Sequence, residues 1–135
     1  MVKHLIDALA RHGVTVHAFD LAVTDIGKLA IALVDAATLI VGTPTVHVGP
    51  HPAVYYAAHL ANLLRPKLRH AAIVGSYGWS SRAVEQLGGL IPNLKVDVLG
   101  TVLHKGAPTT ETEAQLDELA AAVAKAHKAN DLVTP

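Results

Sequence analysis

Six consecutive residues, Gly-Ser-Tyr-Gly-Trp-Ser at positions 75–80, have the composition of a ligand-binding turn. They follow the apolar run 70–74 and precede an amphipathic segment, so they are predicted to join a buried strand to a helix. Trp79 is the only tryptophan in a chain that is 4% aromatic. With Tyr77 it could cover the face of a flat ligand, and Gly78 would let the backbone approach closely. The alternative is that Trp79 only packs against the top of the sheet.

A second loop, residues 42–50, leaves a neighbouring predicted strand and reads Gly-Thr-Pro-Thr-Val-His-Val-Gly-Pro. Its threonines, glycines and prolines indicate a kinked segment whose amides and hydroxyl groups could hold the carbonyls and nitrogens of a ring. The alternative is a long strand-to-helix turn with no ligand. The candidate binding residues of the two loops are Thr43, Pro44, Thr45, Val46, His47, Gly49, Ser76, Tyr77, Gly78, Trp79 and Ser80.

Other kinds of chemistry lack their motifs. His47 and His51 are separated by Gly49-Pro50, which prevents a shared helical face, and no H-E-x-x-H pattern occurs, so neither a metal site nor a catalytic side chain is predicted. Ser76 is not in a G-x-S-x-G elbow, and the dinucleotide and Walker phosphate motifs are absent. The lack of cysteine excludes thiolate catalysis and cysteine-bound clusters.

Composition predicts one compact domain spanning residues 1–135. Hydrophobic residues make up 51% of the chain, enough for a single buried core with helices on both faces of a sheet. Eleven basic and eleven acidic residues cancel, which argues against nucleic acid as a partner. No apolar run is long enough for a membrane span, and the absence of cysteine fits a cytoplasmic location.

Periodicity predicts strands that alternate with helices, which indicates an α/β fold with a parallel sheet. The first helix should end at Gly13, Thr24 should cap the second, and Thr110 with Glu113 should form a capping box on the last. The predicted strands cover residues 14–19, 38–41, 71–74 and about 96–102; the remaining helices cover residues 52–64, 81–90 and 110–128. Parallel strands place both candidate loops at one sheet edge.

The two loops, with the turn Leu-Arg-Pro-Lys at residues 64–67, resemble the flavodoxin-like domain of flavodiiron proteins (A-type flavoproteins) over nearly the whole chain. The resemblance implies a three-layer sandwich that binds FMN. It also implies a redox partner such as rubredoxin or a flavin reductase, and a diiron centre in a separate metallo-β-lactamase-like domain. By the same resemblance, Tyr77 and Trp79 would flank the isoalloxazine and residues 76–80 would lie at its pyrimidine edge. Residues 43–47 and Gly49 would form the other wall.

The start of the chain departs from this pattern. Members of the family begin with a strand and a loop that wraps the FMN phosphate, whereas Met1 falls in or just before the first helix. We therefore expect weak FMN binding and a gap in the sheet between residues 14–19 and 38–41. The chain could be a fragment, another segment or subunit could supply the strand, or the sheet could close without it.

A second function remains open at this stage. The chain could be a degenerate or strand-swapped domain that binds no flavin and acts as an assembly module. An exposed strand edge favours pairing with another chain, so a homo-oligomer is also an expectation.

Overall fold

The computed structural model describes residues 1–46, 49–78, 82–92 and 94–129. The helices are α1 (Val2–Arg11), α2 (Ile26–Leu33), α3 (Pro52–Leu64), α4 (Ala83–Leu90) and α5 (Thr110–Ala129). The strands are β1 (Thr38–Val46), β2 (Gly49–Pro50), β3 (His70–Tyr77) and β4 (Asp97–Lys105). Within those ranges, no helix is both long enough and apolar enough to span a lipid bilayer.

The four strands form one sheet in the order β2-β1-β3-β4. β1 pairs parallel with β3, and β3 pairs parallel with β4, so three strands point their carboxyl ends the same way. The short strand β2 pairs antiparallel with the end of β1. The predicted α/β architecture with a parallel sheet is confirmed.

The first central strand is longer than the sequence predicted. Residues 42–45 were expected to leave the strand, but β1 continues through them to Val46. The ladder holds them, because Thr43 lies opposite Gly75 and Pro44 opposite Ser76. Pro44 has no N–H to donate, which a strand tolerates at a sheet edge. Of the loop that was expected over residues 42–50, residues 42–46 therefore belong to β1 and Gly49–Pro50 form β2.

Helices cover both faces of the sheet. On one face, α1 and α5 pack against β3 and β4; the buried side chains there are Leu5, Ala8, Leu9, Ala72, Val74, Val102, Leu116, Leu119, Ala120 and Val123. On the other face, α2, α3 and α4 cover two smaller clusters; their buried members are Leu29, Leu33, Val54, Ala58, Ala61, Leu68, Ile73 and Leu87. The domain is thus a three-layer sandwich.

The strand predicted at residues 14–19 is not formed, and residues 14–20 have no regular secondary structure. The apolar side chains of this segment are still directed to the core: Val14 and Val16 pack on the α1–α5 side of the sheet, and Phe19 packs on the opposite side. A strand also needs a neighbour to complete its ladder of hydrogen bonds. None of the described strands reaches this segment, so the pattern places side chains without producing a strand.

Helix ends follow local hydrogen bonding, and two predicted caps were wrong. Gly13, at φ 78°, ends the first helix as expected. The cap of α2 is Asp25 instead of Thr24: the Asp25 carboxylate accepts the Gly27 N–H at 2.9 Å. At α5 the reciprocal cap joins Thr109 and Thr112, one residue earlier than the predicted box. The Thr109 N–H donates to Thr112 Oγ1 at 3.1 Å.

Two buried histidines meet at the amino end of the sheet. His70, the first residue of β3, is 6% exposed, and His127, near the end of α5, is 8% exposed. Their rings stack with centroids 6.2 Å apart, and His127 Nε2 lies 2.6 Å from Thr38 Oγ1. Among the described residues, neither ring nitrogen of His70 has a hydrogen-bond partner. Burial, assisted by the neighbouring His70, lowers the pKa of His127 below its ordinary value.

This pair makes stability depend on pH. Because the folded chain resists protonation of His127 while the unfolded chain does not, the stabilisation present above the ordinary histidine pKa of about 6.5 is lost as the pH falls below it. We expect His127→Gln to reduce that loss. Urea unfolding at pH 7.5 and 5.5 measures this loss of stability. The control is His59→Gln, because His59 is an exposed histidine of α3. Equal pH dependence in both variants would contradict this role.

The close approach of β1 and β3 gives a second prediction. A Cβ at Gly75 would lie less than 3.0 Å from the carbonyl oxygen of Thr43, a backbone atom that cannot move alone. Gly75→Ala should therefore lower the free energy of unfolding by about 3 kcal/mol. Gly88→Ala on α4 is the control, since nothing lies within 4 Å of its Cβ position. Helix propensity predicts a gain of about 0.5–1 kcal/mol there. Similar denaturation midpoints for the two variants would contradict the predicted clash at Gly75.

Candidate functional site

The carboxyl edge of the sheet brings the two candidate loops together. Since β1 and β3 are adjacent and parallel, Pro44 lies directly opposite Ser76. The turn after β4 joins them, because the N–H of Gly106 donates to the carbonyl oxygen of Tyr77 at 2.8 Å. Three separate chain segments thus form one edge, as the parallel sheet predicted for the first two.

A cavity of about 440 Å³ opens at this edge. Its walls are the start of α1, the ends of β1 and β3, and the turn after β4; Met1, Pro44, Ser76 and Pro108 represent these four parts. The volume falls within the range of about 300–1,000 Å³ that is usual for small-molecule sites. This is the location where open α/β sheets bind ligands, outside the carboxyl ends of their strands.

Thr43 secures the first loop from inside. The residue is 4% exposed, and its Oγ1 accepts the His51 N–H at 2.9 Å while donating to the Pro44 carbonyl at 2.8 Å. His51 in turn caps α3, with Nδ1 accepting the Ala53 N–H at 3.1 Å. The Thr43 hydroxyl therefore fixes the loop to the start of α3. The sequence pattern does not predict this cap from His51, although the following Pro52 is typical of a helix start.

Gly49 also lies inside the fold. It is buried, and a Cβ there would collide with the side chain of Gln86 and approach the Tyr55 hydroxyl to 3.1 Å. Tyr55 on α3 donates a hydrogen bond to Gln86 Oε1 on α4. This pair supports the β2 return and was not anticipated from the sequence, since the two residues are distant in the chain. Because glycine has no side chain, the backbone of β2 can lie against Tyr55 and Gln86.

The second loop is more open. Ser76 and Tyr77 are half-buried, Gly78 is exposed, and nothing lies within 4 Å of a Cβ built on Gly78. A flat group could therefore approach the backbone here without displacing a side chain. In the first loop, Pro44 is exposed and Thr45 is half-buried.

Four of the predicted site residues lie wholly or partly outside the residues that the structure describes. His47, Trp79 and Ser80 are not among the described residues, and of Val46 only the backbone is described. Their assignment to a ligand therefore stays a prediction from the sequence.

The start of α1 contributes electrostatics to the cavity. Met1 and Val2 line it, and the first turn of α1 contains no acidic residue and no side-chain cap. The amide N–H groups of a helix's first turn have no partners within the helix and carry a partial positive charge. This wall of the cavity is therefore suited to a negatively charged group.

Metal ligands are not assembled in the part of the chain that the structure describes. No group of three or more histidine, aspartate or glutamate side chains lies close enough there to hold a metal ion.

Two curated proteins are similar to this chain in sequence. The rubredoxin-oxygen oxidoreductase of Megalodesulfovibrio gigas is 28% identical over 130 residues, which is 96% of this chain and 32% of that protein. The nitric oxide reductase of Moorella thermoacetica is 29% identical over 99 residues, 73% of this chain and 25% of that protein. This chain thus spans about a third or less of their length. No family model matches it.

Solved structures agree with these relatives. The rubredoxin oxygen:oxidoreductase of Desulfovibrio gigas superposes with a TM-score of 0.87 at 27% identity, covering 94% of this chain and 32% of that one. The flavodiiron protein of Giardia intestinalis gives 0.83 at 24% identity, covering 95% and 32%. An archaeal flavodoxin gives 0.71 at 20% identity, covering 93% and 87%, which shows the shared fold.

The sequence and structural comparisons confirm the resemblance indicated by the two loops. Along nearly its whole length, the chain is similar to the flavodoxin-like domain of flavodiiron proteins and has the flavodoxin-like fold.

Proposed function

We propose that the chain binds FMN at the carboxyl edge of its sheet and acts as an electron-transfer domain related to flavodiiron oxygen and nitric oxide reductases. One observation carries the proposal: the ends of β1, β3 and β4 converge on a cavity of about 440 Å³. The relation to the two reductases adds support, since the match to one of them extends over 96% of the chain.

The residues present fit the ring of the cofactor. Tyr77 is half-buried and directly follows Ser76, which lines the cavity, and the surface beside Gly78 is open. An aromatic side chain at this position could contact a flat ring, and the strand ends offer backbone donors and acceptors. The proposed ring contacts are the residues predicted from the sequence: Thr43, Pro44, Thr45, Val46, His47, Gly49, Ser76, Tyr77, Gly78, Trp79 and Ser80. Thr43 and Gly49, being buried, would contribute through the backbone.

The phosphate fits less well. The first turn of α1 lines the cavity and is suited to an anion, but Met1 adds no side-chain hydrogen bond to it. We therefore propose that binding is weak compared with a protein that wraps the phosphate in a dedicated loop.

FMN, when bound, supplies reversible electron transfer, and the protein tunes its potential by stacking and hydrogen bonding. The chain's task is then to position and enclose the ring. The Thr43–His51 hydrogen bond holds one loop, and the Gly106–Tyr77 hydrogen bond holds the other against the turn after β4. No side chain needs to exchange a proton in this scheme, which agrees with a site built mainly from backbone.

The names of the relatives support a proposal about partners. One relative is named for rubredoxin and oxygen, and another for nitric oxide. We propose that this chain accepts electrons from a rubredoxin or a flavin reductase in the cytoplasm. It would deliver them to a diiron centre in a metallo-β-lactamase-like domain.

A second function is favoured by one specific observation. The sheet lacks a strand beside β1, facing residues 14–20, within the described chain. A degenerate or strand-swapped assembly module that binds no flavin would also show such a gap.

Titration of the chain with FMN, followed by quenching of Trp79 fluorescence, distinguishes the two functions. We expect saturable quenching with weak affinity. Absence of quenching, together with absence of flavin in an ultrafiltration assay, would favour the assembly module. Tight one-to-one binding would contradict the inference drawn from the phosphate.

Tyr77→Ala tests the location of the ring. Loss of aromatic contact should weaken FMN binding by up to about tenfold, since such contacts contribute about 0.5–1.5 kcal/mol. Tyr56→Ala is the control, because Tyr56 is an exposed tyrosine of α3 that belongs to neither candidate loop. Equal FMN affinities for the two variants would contradict the proposed position of the isoalloxazine ring.

A further inference from the structure

The two helical layers of the sandwich differ in the composition of their helices. Lysine, arginine, aspartate and glutamate together occur six times in α5 and three times in α1, but only once in α2 and not at all in α3. A helix that lies on the surface normally has a polar outer face, and a helix that is apolar all round is normally buried. The outer face of the α2–α3 layer therefore has the composition of a surface that another molecule covers.

Large apolar side chains of this layer are exposed to solvent. Ile31 of α2 is 75% exposed, and Val34, which directly follows α2, is 70% exposed. Tyr56 and Leu63 of α3 are also exposed, and α2 and α3 share a buried cluster on their inner sides. Exposed apolar side chains that are grouped in this way mark an interaction surface.

The exposed side of α2 consists of five residues, which we call the α2 face: Gly27, Lys28, Ile31, Val34 and Asp35. At about 100° per residue, all five lie within an arc of about 120°. Val34 keeps helical angles, with φ −57° and ψ −42°, so this geometry continues past the last residue of α2. The α2 face is therefore apolar in its middle, with one charge near each end.

Both charges of the α2 face oppose the dipole of their own helix. Lys28 is in the first turn, where the free N–H groups carry a partial positive charge, and Asp35 follows the last turn, where the free carbonyl groups carry a partial negative charge. Among the ion pairs of the described residues, none includes Lys28 or Asp35. The single chain thus exposes two unfavourable charges that a binding partner could compensate.

A second copy of the α2 face compensates both charges. When two such helices pack antiparallel about a twofold axis beside Ile31, Lys28 of each copy lies opposite Asp35 of the other, because both residues are equally far from the axis. Each charge then also lies near the favourable end of the other copy's helix. The two Ile31 side chains meet at the axis, and Val34 packs beside Gly27, which has no side chain to displace.

We propose that the chain forms a twofold homodimer in which the α2 faces of two copies pack antiparallel. Tyr56 and Leu63 of α3 lie at the border of this interface. The apolar middle of the α2 face and the equal spacing of its two opposite charges from the axis carry the proposal. Among the described residues, those that line the cavity at the carboxyl edge belong to neither α2 nor α3. The proposal is therefore independent of the flavin, and its test is made without FMN.

Sedimentation equilibrium of the full chain, from micromolar to submillimolar concentration, tests the proposal. We expect a monomer–dimer equilibrium. Lys28→Glu and Asp35→Lys each place like charges opposite one another at two symmetry-related positions, so each should weaken the dimer at least about tenfold. Both substitutions agree with the dipole of α2, so neither should destabilise the folded monomer.

An equimolar mixture of these two variants is the decisive measurement. The α2 face of Lys28→Glu carries two acidic residues, and that of Asp35→Lys carries two basic residues. In a mixed dimer both charge pairs are attractive again, so the mixture should dimerise at least about tenfold more strongly than either variant alone. Because the same two chains are used, unfolding of a variant cannot produce this recovery.

The chain offers matched controls. Glu118 and Lys125 of α5 are exposed opposite charges at the same spacing of seven residues. Glu118→Lys, Lys125→Glu and their mixture should leave dimerisation unchanged. Ile31→Glu should abolish the dimer, whereas Val98→Glu, at an exposed valine of β4, should not affect it.

Three results would overturn the proposal. One is a chain that stays monomeric over the whole range of concentration. Another is a dimer that persists in Ile31→Glu or in both charge variants, since it would use a different surface. The third is a mixture of Lys28→Glu and Asp35→Lys that dimerises no better than its components, since the charges would then not pair between copies.

Discussion

The close parallel pairing of β1 with β3 is the constraint on which the rest of the structure depends. At Gly75 the two backbones are so close that a side chain on this residue would collide with the carbonyl oxygen of Thr43. This pairing aligns the carboxyl ends of two strands and lets the loops beyond them share one cavity. In the described chain, the same pairing leaves the opposite edge of β1, from Thr38 to Pro44, without a neighbouring strand. One contact between two strands thus determines both the position of the cavity and the free edge of the sheet.

Much of this arrangement could be predicted from the sequence, because it follows from local patterns. Alternating strands and helices gave the parallel sheet, and the motif at residues 75–80 marked the carboxyl edge. The failures came from interactions between distant residues. The extension of β1 through Pro44 depends on its register with β3, and the buried position of Gly49 depends on Tyr55 and Gln86. Neither the length of β1 nor the burial of Gly49 can be predicted from the residues of one segment alone.

The strand expected at residues 14–19 shows that a correct pattern does not ensure a correct element. Val14 and Val16 do point into the core, as alternation requires. Within the described chain, no neighbouring strand lies beside this segment, so a ladder of hydrogen bonds cannot form. Side-chain burial and backbone pairing are separate conditions, and a sequence pattern reports only the first.

Pro44 divides β1 into two parts with different backbone surroundings. Before it, the free edge of β1 offers hydrogen bonds with the regular spacing of a strand; after it, the chain turns into β2 and the loop at the carboxyl edge. A guest strand cannot extend its ladder through a residue without an N–H. The pyrrolidine ring of Pro44 therefore limits how far any such pairing could extend along β1, and keeps it away from the cavity at the carboxyl edge. A single substitution to a residue with an amide hydrogen would remove that boundary.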